Sequence, residues 1–402
     1  MSDFFIARQA IFDHNVKLFA YELLFRDSDT GAAPKDLDDD VATAQVLSIS
    51  EEVGLTQLVG DRPAFINLPH RFLVEPELLP FEPDNVVLEV LEHVDIDDQV
   101  IQGMAALGER GYTLALDDFV YDARFDTALK HVAIVKLEIP GIAPENWSSE
   151  ISRLKDLGVK VLAEKVETNE EFETLKALGC DYFQGYFFAK PKVVTGKRLA
   201  PNKLAVIQLL SKVNNPETDI ESLSELVSRD VAISVRAMNY VNSAAGALNR
   251  RIESIREAVV YIGRETIRRW VTLLIMARLD GKPGELVTMA LVRAKFMELL
   301  AEKGNQEDAN AFFTVGLFSL LDAFMDAPLE EVIETLALPQ ELRDALCQHS
   351  GSKGESLDLA KALEHGRLSG FEPFAIPAPT IARLHQTATQ WADETLAGMH
   401  NA

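Results

Sequence analysis

Apolar positions along the first half of the chain come in short runs that nearly abut turn residues. FIARQAIF, LFAYELLF, AFINL, VVLEV, YTLALDDF, IVKLEI, VKVLAE and DYFQGYFF follow one another between residues 5 and 188. Most are continuous rather than alternating, the pattern of parallel strands covered on both faces. Between several of them lie stretches of helical spacing, such as ISRLKDLG and NEEFETLKALG, the latter stopped by Gly179. The first two runs are separated only by DHNVK, too short for a crossover helix. Strands alternating with helices predict an α/β fold, either a closed barrel or an open doubly wound sheet. No glycine-rich phosphate loop follows the first strand, which favours the barrel.

Beyond KPKVVTGKRLAPNK the period changes. KLAVIQLLSKV, DIESLSELVSRDVAISVRAMNYVNS, ELVTMALVRAKFMELLAEK, ANAFFTVGLFSLLDAFM and PLEEVIETL place apolar residues three and four apart. An all-helical domain is expected, with Asp219 and Pro328 as helix start signals and Phe312, Phe313, Phe318 and Phe324 in its core. The organisation read from these shifts is a barrel domain over residues 1–195, a linker at 196–203, a helical domain at 204–375, and a tail with a terminal helix at 376–402.

Polar residues interrupt the barrel runs late: Asn67, Glu89, Asp117, Lys136, Glu164 and Gln184, at steps of 22, 28, 19, 28 and 20 residues. A strand, a loop and a returning helix take about that length, so the six are equivalent points on successive units, gathered at the C-terminal rim where such barrels keep their active sites. Glu22 and Asp118 join them, so that Glu22, Asn67, Glu89, Asp117 and Asp118 bring four carboxylates and one amide oxygen to the neighbourhood of Lys136. Acids so close raise one another's pKa unless a cation intervenes. All-oxygen donors select magnesium, manganese or calcium. Two such ions about 3.5–4 Å apart can activate water and stabilise a phosphodiester transition state. Arg26 could hold a phosphate oxygen through paired hydrogen bonds.

Composition narrows the choice of partner. Sixty-three acidic residues against 39 Lys plus Arg leave a formal charge of −24, a field that repels nucleic-acid backbones. Cys180 and Cys347 stand far apart, which fits an intracellular chain without a disulfide framework. The start, MSDFFIARQAIFD, has no signal-peptide pattern, and no apolar run approaches the ~20 residues of a membrane span. A soluble cytoplasmic protein is expected, with neither membrane nor direct nucleic acid among its partners.

The barrel segments resemble the EAL domain, the bacterial family that hydrolyses cyclic di-GMP to linear pGpG. ELLFR (Glu22 to Arg26) stands for the Glu-Ala-Leu signature, FINL for the asparagine strand, EVLE for the Glu-x-Thr-Glu segment, and LALDDF for the double aspartate. VKLE, AEKVET and the closing GCDYFQGYFFAKP follow in the family's order, and ARQAIF matches its Gln-Pro-Ile strand. The resemblance implies a modified TIM-like barrel whose first strands are not all parallel. It further implies metal ligands at Glu22, Asn67, Glu89, Asp117 and Asp118 for two Mg2+ or Mn2+ ions. Lys136, Glu164 and Glu167 would be catalytic, and Gln9, Arg26 and Gln184 would face the substrate. Departures from the pattern are Leu23 for the signature alanine, Glu138 for an aspartate, Lys165 for a glycine, and Val120-Tyr121-Asp122 for Gly-Thr-Gly.

The helical half resembles the HDOD domain, a relative of the HD phosphohydrolases, through Ser228 to Trp270 with its Asn242-Ser243 pair, Ala258 and Gly263. No histidine occurs between His131 and His349, so an HD-type metal site is not expected there, and His349 and His365 read as isolated surface or packing residues. Two functions follow: a divalent-metal cyclic di-GMP phosphodiesterase, or an inactive adaptor that binds the nucleotide or a protein and signals through its HDOD domain. A protein partner through the helical domain and a homodimer are the further expectations.

Overall fold

The computed structural model describes residues 4–27, 54–79, 82–190, 201–214, 282–336, 338–365 and 373–400, with single positions between them. The chain divides into two units, Met1–Phe188 and Ala189–Ala402.

The first unit is a closed eight-stranded barrel in sequence order. Strands β1 (Phe4–Asp13) and β2 (Leu18–Asp27) form an antiparallel hairpin. Its turn is tied by the Asp13 carboxylate, which accepts from the backbone of Asn15 at 2.8 Å and of Lys17 at 2.9 Å. From β2 onward the pairing is parallel, through β3 (Ala64–Leu68), β4 (Val86–Val90), β5 (Thr113–Leu116), β6 (Ile134–Glu138), β7 (Lys160–Glu164) and β8 (Tyr182–Gln184). Strand β8 then meets β1 antiparallel and closes the ring. The four-residue link from His14 to Lys17 leaves no room for a crossover, so β1 runs against its neighbours, as the family resemblance implied.

Strand alternation sorts the side chains into two cores. Facing outward, residues such as Leu88, Val135, Val161 and Phe183 pack under the surrounding helices. Those helices are α1 (Asp98–Glu109), α2 (Trp147–Asp156) and α3 (Asn169–Leu178). Asp97 caps α1, and Thr168 with Glu171 forms a capping box on α3, satisfying backbone N–H groups that a helix start leaves unpaired. Gly179 ends α3 at φ 101°, the left-handed conformation for which the sequence supplied a glycine. Facing inward, each strand gives one residue to an apolar plug: Ile11, Ala20, Phe65, Val87, Ala115, Ile134, Leu162 and Tyr182. The barrel is filled, not hollow.

In the second unit, the helix Gly284–Lys303 is buried along most of its length and packs against Ala309–Phe318 and Ala378–His400. Phe312, Phe313, Phe318 and Phe324 are all in its core. Asp219 accepts from the Ser222 backbone N–H at 2.7 Å, and Pro328 precedes the helix Leu329–Glu334, so both start signals act as expected. Asp230, Asn242, Ser243, Arg250, Arg251, Ala258, Arg269 and Trp270 lie outside the described residues. His349 is not isolated. Its Nδ1 pairs with the Asp358 carboxylate and its Nε2 lies 3.3 Å from Lys361 Nζ. The sequence hid this because the contact needs the left-handed backbone of His349, φ +54°, just before the helix Gly351–Glu364 that carries Asp358 and Lys361. Among the described residues, no helix is long and apolar enough to cross a membrane.

Candidate active site

Two residues along each strand from the apolar plug, the same inward-facing positions turn polar. They are Gln9 on β1, Glu22 on β2, Asn67 on β3, Glu89 on β4, Lys136 on β6, Glu164 on β7 and Gln184 on β8. Asp117 takes the matching place just past the end of β5. Strand periodicity is the cause: i and i+2 share a face, so a polar ring is stacked directly on the plug. On the antiparallel β1 the step runs the other way, and Gln9 pairs in register with Glu22.

Lys136 occupies the middle of this ring and is fully buried. Its Nζ lies 2.8 Å from Asp117 Oδ1, 2.9 Å from Glu89 Oε1, 3.0 Å from Glu164 Oε1 and 3.7 Å from Glu22 Oε1. Gln184 Nε2 donates to Glu22 Oε2 at 2.7 Å, which orients that carboxylate. Burial alone would strip Lys136 of its proton, but the surrounding carboxylates reverse the effect and hold its pKa well above the ordinary lysine value. One cation cannot satisfy four acids. Burial, helped by Asp117 and Glu22, pushes Glu164 up to about 8, and burial drives Glu89 well above the usual carboxylate range.

The acceptor side is also incomplete. Asn67 Oδ1, Gln184 Oε1 and Glu89 Oε2 are buried with no hydrogen-bond partner. Glu89 Oε1 meets Lys136 at ion-pair distance without an aligned hydrogen bond. Orphans of this kind are costly, and here every one is an oxygen that wants positive charge. Such a donor set fits a hard divalent cation and does not fit zinc or copper.

At the end of β5 the chain turns at Asp118, whose φ is +39°. That left-handed step breaks strand alternation, which otherwise sends neighbours to opposite faces, and aspartate tolerates it better than most residues. Carboxylate oxygens of Asp117, Asp118 and Glu164 consequently lie within 4.8 Å of one another. Burial and then Asp117 raise the pKa of Asp118, while Lys165 pulls it down. The backbone is pinned on both sides of the turn, Asp117 N–H donating to Val90 O and Phe119 N–H to Lys136 O, each at 3.0 Å.

The model of the EAL domain family matches residues 39–191, and that of the HDOD domain residues 200–341. The cyclic di-GMP phosphodiesterase CdgJ of Vibrio cholerae is 33% identical over 376 residues, covering 92% of this chain and 86% of that protein. The chain belongs to the EAL–HDOD proteins. YuxH of Bacillus subtilis is 29% identical over 369 residues, with 90% of each chain covered. A standalone EAL protein of Vibrio cholerae O395, solved with cyclic di-GMP bound, is 24% identical over 47% of this chain and 92% of its own, with a TM-score of 0.36.

Against the EAL pattern, the departures fall in distinct places. Leu23 points outward and is buried in the core beneath the barrel's cover, so its bulk, expected near the nucleotide pocket from its place in the signature, does not enter the rim. Val120, standing where an EAL domain has glycine, is 77% exposed. The loop around it is held by Phe119 against Phe125 at 5.3 Å, by Tyr121 donating to Asp126 at 3.0 Å, and by Arg153 lying 4.4 Å over the Tyr121 ring. With Leu91, Glu92 and Ile96 it borders a cavity of about 380 Å3 that reaches Asp117 and Asp118. Arg26 lies on β2 opposite Phe5, and its side chain is outside the described residues. Glu167 is exposed in the turn before α3, where its N–H donates to Glu171.

Sequence reasoning gave no part to Gly185. Its φ is +142°, and a β-carbon there would stand 2.2 Å from Val166 O. This close approach lets Val166 N–H reach Gln184 O at 3.0 Å, fastening the loop that follows Glu164 to the strand that carries Gln184. The signal was present in the Gln-Gly step of FQGYFF, immediately after a polar ring position.

Proposed function

We propose that the barrel binds cyclic di-GMP and hydrolyses it to the linear dinucleotide with Mg2+ or Mn2+. The observation that carries this reading is the buried ring of oxygen donors with orphaned acceptors at Asn67, Glu89 and Gln184, opening onto the rim. Glu22, Asn67, Glu89 and Asp117 would hold one ion, and Asp117, Asp118 and Glu164 a second. Bound there, divalent ions supply Lewis-acid polarisation of the phosphodiester and a water of lowered pKa. Lys136 keeps its proton throughout, orienting carboxylate oxygens and countering negative charge on the reacting phosphate. Gln184 fixes Glu22, while Gln9 and Arg26, both on the hairpin, would bind the substrate and Glu167 would act from the loop beyond β7. Residues 1–195 carry this chemistry, and residues 204–375 transmit it to a protein partner; with the loop at Val120 rebuilt, pairing of two chains would be rerouted through the helical domain.

A second reading is favoured by one observation. Lys165 brings an extra cation to the rim, paired with Glu138 at 2.9 Å. A barrel so altered would bind the nucleotide without turning it over and act as an adaptor. Incubating the protein with cyclic di-GMP and Mg2+ or Mn2+, with chromatography for product and calorimetry for binding, separates the two. Product that disappears in Glu22→Gln and Asp117→Asn supports the enzyme; tight binding without product supports the adaptor. Neither binding nor product, in folded protein, refutes both.

A further inference from the structure

Two side chains at the rim are left over once the polar ring is assembled. Glu138 stands two residues past Lys136 on β6, in register with Glu164, and Lys165 directly follows Glu164. Lys165 Nζ meets Glu138 Oε1 at 2.9 Å. The lysine backbone has φ +54°, a conformation that glycine adopts without strain and a long side chain does not. With side chains 55% and 35% exposed, the pair contributes little to stability by itself. In the structure the ammonium is directed toward Glu138 at the end of β6, in register with Glu164.

That direction matters because of what surrounds it. Asp117, Asp118 and Glu164 converge at this corner of the rim, and Phe119 N–H bonded to Lys136 O ties the Asp118 turn to the strand that carries Glu138. Lys165 acts electrostatically on Asp118, and both Asp118 and Glu164 act on Lys165. We infer that Lys165, steered by Glu138, is a tethered counter-charge that weakens divalent-ion binding at the Asp117–Asp118–Glu164 corner, so that the site fills in two unequal steps. The Glu22–Asn67–Glu89–Asp117 set, which shares only Asp117 with that corner, binds first. This deepens the metal-dependent reading above and rests on it. Lys165 is therefore a positioning residue for the second ion, not a catalytic one.

Calorimetric titration of the metal-free full-length protein with Mn2+, cross-checked by the electron paramagnetic resonance of unbound Mn2+, tests this without reference to turnover. Lys165→Gly fits the backbone, so its fold is expected to be intact. Removing a unit charge near a divalent ion should tighten the weaker Mn2+ step by about tenfold or more and leave the tighter step unchanged. Lys165→Arg, which keeps the charge, should reproduce the native isotherm. Equal two-step isotherms for the native protein and Lys165→Gly would overturn the role of Lys165 while leaving the metal reading standing. A gain in Lys165→Arg equal to that in Lys165→Gly would also overturn it, since shape and not charge would then be responsible. Absence of Mn2+ binding in every variant would overturn the metal reading, and this inference with it.

Discussion

Charge at single residues sets the most direct expectations. Glu164 has a folded-state pKa of about 8 against the ordinary 4.5, because burial and the neighbouring acids disfavour its ionised form. A carboxyl raised in this way binds its proton more tightly folded than unfolded, so the metal-free protein loses stability as pH rises from about 4.5 towards 8. Thermal unfolding followed by circular dichroism across that range should show the decline, and Glu164→Gln should flatten it. An unchanged slope in that variant would show that Glu164 is not the group responsible. Gly185→Ala is a test of packing. Its β-carbon would meet Val166 O at 2.2 Å in a φ region closed to alanine, so the barrel must shift or unfold, with an expected loss of several kcal/mol in a denaturant titration. The sequence showed Asn67, Glu89, Asp117, Lys136, Glu164 and Gln184 as polar positions late in apolar runs and Glu22 beside them, whereas Gln9 came from the family resemblance. Sequence reasoning did not find Gly185, whose need for hydrogen at Cα comes from Val166, nineteen residues upstream and in contact with it.

Elements determine which of these residues meet. The capping box on α3 fixes where the chain after Glu164 stops turning and becomes helix, and the buried faces of Phe172 and Phe187, stacked at 4.7 Å, hold that helix to the end of β8. Thr168→Ala removes the hydroxyl that accepts from Glu171 N–H, and should cost about 1 kcal/mol of stability. A denaturation midpoint unmoved by that change would mean the cap is made by other groups. The succession of strands was legible at this scale as eight apolar runs, while the barrel's non-parallel start came from the family resemblance, with which the short DHNVK spacing agrees. The pairing of Lys165 with Glu138 was not legible. It depends on parallel register between β6 and β7 and on a left-handed residue at the end of β7, neither of which leaves a mark in hydrophobic period. The same limit hid the contact of His349 with Asp358 and Lys361.

At the scale of the molecule, folding gathers a buried excess of negative charge around Lys136 and leaves part of it unsatisfied. A cation that fits that ring binds the folded barrel and not the unfolded chain, so it must raise thermal stability. Saturating Mn2+ or Mg2+ is expected to raise the melting temperature of native protein, more at pH 8 than at pH 5.5, where protons compete for Glu164. A chelator should reverse the rise, and Asp117→Asn should abolish most of it; a shift of equal size in that variant would place the ion elsewhere. The sequence by itself determined the α/β and all-helical characters of the two halves, the succession of apolar runs that become strands, and the spacing of the polar positions within them. Those follow from local period and spacing, which any chain must respect to bury its apolar faces. Only the tertiary structure decided that Lys136 stands within 3.7 Å of four carboxylates, that Asp118 turns back toward Glu164, and that Leu23 faces away from the rim. Those depend on backbone torsions at strand ends and on register across a closed barrel, quantities fixed by the whole ring of contacts and by no single stretch of residues.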